Sequence, residues 1–209
     1  MSLSFALDVA ALAAYATLLL ELTVFPIPSE ASTWQLLAPE TDSQGPELDR
    51  AQHRSLAGKL LGYALPTVVG VVAYLLPLAV ILVPSWRPAL CWTSHPAAML
   101  GGMVAIVFGR VLTFGSVLLL RSQRRRGGGP PGGLFRWSRN PGLVGMYVGY
   151  VGLMVGYSMP LLALVLPLYL WNMHRRVRLE ESQLQHTLGA AWSSYATHVP
   201  RYLPFPGLR

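Results

Sequence analysis

Apolar residues fill five stretches of the chain, Phe5 to Phe25, Leu60 to Val83, Ala97 to Leu120, Leu143 to Tyr157 and Leu161 to Met173, and polar residues collect between them. The first three have the length of roughly 20 residues that a helix needs to cross hydrocarbon. The last two are shorter, and the Ser158-Met159-Pro160 step between them predicts a helical hairpin that enters and leaves on the same side. No segment of about ten residues alternates between polar and apolar, which argues against a barrel, and helices are the other structure that satisfies its own backbone in lipid. The expected fold is all-α, a polytopic membrane protein with about five membrane helices. Beyond Met173 the pattern becomes amphipathic: Val177, Leu184, Leu188, Trp192, Tyr195 and Val199 recur at helical spacing while charges take the other faces. That pattern predicts a C-terminal tail lying along the membrane interface.

Composition fits this setting. Of 209 residues, 53% are hydrophobic and 12% charged, and the mean hydropathy is +0.43, far too apolar for one soluble core. The first stretch has no basic leader, carries Asp8 and Glu21 and lacks a small-x-small cleavage site, so it is expected to be a retained helix. Charge supplies orientation. The connection from Arg121 to Asn140 holds Arg121, Arg124, Arg125, Arg126, Arg136 and Arg139, whereas the loop from Pro84 to Pro96 holds only Arg87. The positive-inside bias places the first of these in the cytoplasm. The Pro26 to Lys59 connection and the C-terminus then fall inside, and the N-terminus and the Ser158 tip outside. Residues 1–120 thus read as three membrane helices with a cytoplasmic connection at 27–59, and residues 121–209 as a basic loop, a hairpin and the tail. The basic pI of about 10.0 belongs mostly to the inside loops, and no nucleic-acid partner is expected.

Much familiar chemistry is missing. A single Cys91 excludes an internal disulfide, and the five histidines form no His-x-x-x-His pair, so no metal is expected. The run Gly127 to Gly133 lacks the Lys-Ser/Thr of a phosphate loop and reads as a linker. At Asn140-Pro141 a favoured N-cap residue precedes a favoured first helical residue, so a helix should start there; its free N–H groups and Arg139 either meet an anion or are an ordinary capped end with a positive-inside arginine. Gly142, Gly145, Gly149, Gly152 and Gly156 then line one helical face, suited to close helix packing or, at Gly145, to a ligand. Arg176 and Glu180 sit four apart; they are either a surface ion pair worth a few tenths of a kcal/mol or a cation and an anion offered to a zwitterionic amino-acid group. Arg110 lies deep in its span and needs a partner: Glu21 has the matching depth, and a polar substrate head group is the rival role.

From Arg139 onward the chain resembles the isoprenylcysteine carboxyl methyltransferase family and its phospholipid methyltransferase relatives. The resemblance rests on the order Arg139-Asn140-Pro141, Gly145, Arg176, Glu180-Glu181, Leu184, Leu188-Gly189, Trp192, Tyr195, Val199-Pro200 and Pro204-Phe205. Leu143, Leu188 and Trp192 stand where that pattern usually has Tyr, Phe and Tyr. The resemblance implies S-adenosylmethionine as cofactor, bound at the cytoplasmic face of an integral membrane protein of a bacterial inner membrane or the endoplasmic reticulum. It implies Arg176 and Glu180 as the residues central to activity. Arg139, Asn140, Pro141, Gly145, Tyr147, Glu180, Glu181, Trp192 and Tyr195 would be cofactor contacts. The acceptor would be lipophilic and enter from the bilayer: an isoprenylcysteine carboxylate, a phospholipid amine and a thiol all remain open. A sterol-reductase-like enzyme using NADPH, or a non-catalytic membrane protein of the same fold, are the alternatives.

Overall fold

The computed structural model describes residues 2–24, 50–51, 53–125 and 132–203; most of the 27–59 connection, most of the glycine run and Pro204-Phe205 lie outside them. The described residues are helical, with no strand among them. Helix α1 spans Leu3–Val24 and α2 spans Leu56–Leu82. Helix α3 spans Pro96–Arg125, α4 Pro141–Gly156, α5 Pro160–Leu188 and α6 Ala190–His198. Three segments, Leu3–Thr23, Leu56–Leu82 and Pro96–Ser122, are long and apolar enough to cross a membrane. Leu19, Leu22, Leu61, Val104, Phe108 and Val111 on them are exposed, as lipid-facing side chains are. The chain is a membrane protein by these helices.

Two expectations need correction. The amphipathic segment does not begin as a separate tail: α5 runs unbroken from the apolar Pro160 through Arg176 and Glu180 to Leu188, with Pro167 inside it. It stops only at Gly189, whose φ of +54° is the left-handed conformation that glycine supplies at a helix end. Asn140 does occupy the N-cap position before Pro141, but its side chain makes no capping bond; its amide is used elsewhere.

The chain forms two compact units, neither continuous in sequence. The first comprises residues 1–27, 75–163 and 196–209. Its centre is the packing of α3 on α4 through facing small residues. A Cβ on Gly109 would stand 2.5 Å from Gly145 O and Gly149 N, and one on Gly152 would stand 2.7 Å from Ile106 N. Only glycines let two backbones approach this closely, and contact between them replaces the hydrophobic drive that lipid does not provide. Thr113 on α3 seals the contact by donating its hydroxyl to Gly109 O at 2.9 Å and to Gly142 O at 3.1 Å. Helix α1 joins this unit through Leu7, which meets the position of a Cβ on Gly156.

At one end of the unit, Arg87 Nη2 donates to both carboxylate oxygens of Asp8, at 2.8 and 2.9 Å. The Tyr157 hydroxyl donates to the same carboxylate at 2.8 Å, and Trp92 N–H donates to Ser158 O at 3.0 Å. The start of α1, the 84–96 loop and the α4–α5 turn are thereby fastened together. Deeper in the unit, Arg110 Nη2 lies 2.9 Å from Glu21 Oε1, and its Nε donates to Thr17 Oγ1 at 3.0 Å. The pair that depth alone suggested is formed. Its contact is close but off the angle of an aligned hydrogen bond, so it is principally ionic.

The second unit comprises residues 28–74 and 164–195. Here the first part of α2 meets the body of α5. Leu60–Ala64 of α2 is wound as a π-helix, a local widening that often accompanies functional sites. Gly70 gives room to the Tyr169 ring, 3.1 Å from where a Cβ would stand. Ala51, Tyr63 and Leu179 form a small buried cluster.

Candidate functional site

The residues expected to bind one cofactor fall in different units. In the first unit, Arg139-Asn140-Pro141 is fastened to Pro200-Arg201 some sixty positions on in the chain. The Arg139 backbone N–H donates to Pro200 O at 2.9 Å. The Asn140 side-chain amide donates to Arg201 O at 3.1 Å, and the Ser138 hydroxyl to the same oxygen at 3.3 Å. Ser138 in turn accepts from Asn140 N–H at 3.0 Å. Asn140 fails to cap α4 for this reason: the Arg201 carbonyl engages the side chain that would have turned back onto the helix. Tyr147 stands against Tyr202, ring centroids 6.1 Å apart. Gly145 is occupied by packing, since a Cβ there would meet Gly109 O and Thr113 Oγ1 at 2.5 Å; the close approach it permits is that of α3. Two motifs read separately in the sequence are thus one local structure.

In the second unit, Arg176 leaves α5 toward α2, where its Nη2 donates to Thr67 Oγ1 at 3.0 Å. Asn172, one turn earlier, donates its Nδ2 to the same hydroxyl at 3.1 Å. Thr67 passes its own proton to Tyr63 O at 2.6 Å, so its oxygen must act as acceptor toward both neighbours, and this fixes the orientation of the Asn172 amide. The Oδ1 of Asn172 is left pointing into the protein: the residue is 0% exposed, yet that oxygen has no hydrogen-bond partner among the described residues. An orphaned acceptor in such a place loses on the order of 1–3 kcal/mol unless something donates to it. Burial pushes the Arg176 guanidinium below its ordinary pKa, while the charge of Glu180 one turn on works in the opposite direction. No family model, curated protein or solved structure matches the chain.

Glu180 and Glu181 lie half-buried on α5. Trp192 and Tyr195 pack on each other on α6, ring centroids 5.5 Å apart. In the first turn of α6, the Ser193 hydroxyl donates back to Gly189 O at 3.2 Å, closing the turn between α5 and α6. The described residues contain no group of three or more metal-ligating side chains. Sequence reasoning missed Thr67 and Asn172, although the signal was there. Each is a polar residue inside an otherwise apolar stretch, and a buried polar group in a membrane segment needs a reason.

Proposed function

We propose that the chain is an S-adenosylmethionine-dependent integral membrane methyltransferase acting on a lipophilic acceptor. The observation that carries this reading is the Thr67 cluster: a guanidinium and an orphaned amide oxygen held side by side, each through its neighbouring nitrogen on one hydroxyl. A free amino-acid group asks for this pair, a cation for its carboxylate and an acceptor for its ammonium, and the cofactor carries such a group. Arg176 would bind the carboxylate and Asn172 Oδ1 the ammonium, with Glu180 or Glu181 as a second acceptor for the amine or a ribose hydroxyl. When bound, the cofactor supplies an electrophilic methyl group. The protein's part is then positioning and the exclusion of water, which apolar helix surfaces provide without an acid–base apparatus.

The order of motifs from Arg139 to Val199-Pro200 supports the same reading, as does the fastening of Asn140 to Arg201. Arg139, Pro141, Tyr147, Trp192 and Tyr195 remain proposed contacts on the strength of that order. In this reading the chain has five membrane segments, the last two as a hairpin, and the basic loop and C-terminus are cytoplasmic, where the cofactor is made. The joining of Asp8, Arg87 and Tyr157 supports that topology, because the charge count assigns all three segments to one face.

Calorimetry in detergent with S-adenosylhomocysteine tests the proposal. The parent should bind, and Arg176→Ala or Glu180→Ala should weaken binding by about 1.5–3 kcal/mol, the range for charge-assisted bonds. Parent-like binding by both variants would remove the site as placed, and binding of NADPH in place of S-adenosylhomocysteine would replace the methyltransferase with a reductase.

A further inference from the structure

A second cluster of cations in the same unit is not used by the proposed reaction. Arg175 turns from α5 onto the π-helical turn of α2, where its Nη1 donates to Gly62 O at 2.8 Å. Its guanidinium lies 4.2 Å from the Tyr63 ring centroid and 4.7 Å from that of Trp171. Arg54, from the chain just before α2, places its own guanidinium 5.8 Å from the Tyr63 ring. Both converge on the space above Gly62: a Cβ built there would stand 3.6 Å from Arg175 Nη1, 3.7 Å from Arg175 Nη2 and 3.8 Å from Arg54 Nη1.

Two like charges drawn to one point repel unless an anion sits between them. Neither guanidinium forms an ion pair among the described residues, and Arg54 is exposed. Stacking on an aromatic ring uses the face of a guanidinium and leaves its in-plane N–H donors for a phosphate; Arg175 gives one of its five to Gly62 O and keeps the rest. Glycine keeps the space between the two edges open. The location adds a second reason. Gly62 lies in the first turns of an apolar segment and Arg175 just beyond the apolar stretch that ends at Met173, at the depth where lipid head groups lie.

We propose that Arg54 and Arg175, gathered around Gly62 on the Tyr63 ring, bind a phosphate group, carried by an anionic lipid head group or free in solution. The site is separate from the Thr67 cluster and does not depend on the chain being a methyltransferase.

Thermal unfolding of the purified full chain in detergent tests it, with phosphatidylglycerol, phosphatidylcholine or inorganic phosphate added. Phosphatidylglycerol should raise the melting temperature in a saturable manner, and phosphatidylcholine should not. Arg54→Gln and Arg175→Gln should each weaken the apparent affinity about tenfold, the worth of one charge-assisted contact. Gly62→Leu should do the same with every charge in place, because it fills the space between the guanidiniums. Arg136→Gln, a cation in the other unit, should respond as the parent does. Arg54→Gln alters an exposed side chain, so it decides the matter even if Arg175→Gln fails to fold. A matching shift with inorganic phosphate alone supports the site and names a soluble ligand as its occupant. Equal shifts with both lipids, or a parent-like response from Arg54→Gln and Gly62→Leu, would overturn the proposal.

Discussion

Removing either partner of the Arg110–Glu21 pair should destabilise the protein far more than removing both. Their side chains are 11% and 8% exposed and 2.9 Å apart, so Glu21→Leu leaves a cation among apolar helices whose one remaining partner among the described residues is Thr17 Oγ1. Breaking a buried pair on one side costs about 3–5 kcal/mol. Because Thr17 still accepts from Arg110 Nε, the lower end applies, about 3 kcal/mol for Glu21→Leu. Arg110→Met should cost a similar amount, since it strands the carboxylate. The double variant puts apolar groups of comparable size against each other and should fall within about 1 kcal/mol of the parent. Reversible unfolding of the four proteins in mixed micelles, read by tryptophan fluorescence, gives the coupling directly. Single variants that each lose less than about 1 kcal/mol, with a double variant equal to their sum, would mean that this pair is no more than a solvated contact.

Gly109→Val should lower stability by about 1–3 kcal/mol or more, because the added carbon meets main-chain atoms of α4 that cannot swing aside; a parent-like melting temperature would refute the backbone contact. Burial raises the Cys91 thiol pKa, Arg87 opposes this and Asp8 adds to it. Its thiolate fraction at neutral pH is therefore reduced, and maleimide should react slowly, faster as pH rises. Asp8→Asn removes a raising charge and should speed that reaction at fixed pH; a slower reaction would contradict the sign. The topology can be read by single cysteines in a Cys91→Ser background. Since Ser138 is buried, the exposed Trp137 is the better probe of the basic loop. Cysteines at Trp137 and Ser194 should both resist an impermeant reagent in sealed cells and one at Thr93 should react, and labelling of Trp137 and Ser194 from opposite faces would break the hairpin.

The helices were legible because hydrocarbon imposes length and apolarity on any segment that crosses it. Among the described residues, the apolar stretches from Phe5, Leu60, Ala97, Leu143 and Leu161 each form a helix to within a residue of their ends. Depth was legible too: rise per residue sufficed to match Glu21 with Arg110. The glycine face of α4 announced a close neighbour, although the partner surface on α3, Gly102, Gly109 and Thr113, went unread. Asn140 was read from local preference alone, and a carbonyl distant in sequence outbid that preference.

What the sequence by itself determined is therefore what depends on position along a helix axis: which segments are helical and how deep a charge lies. What only the tertiary structure decided depends on rotation about that axis and on which faces meet. Thr67, Asn172 and Arg176 are unremarkable polar residues until α2 and α5 turn them toward each other, and Arg54 and Arg175 are ordinary interfacial cations until both meet over Gly62. Apolar periodicity is nearly absent from helices that are apolar all round, so it carries little of this rotational information. The facing was set instead by small residues that allow contact and by polar atoms that must find partners away from water.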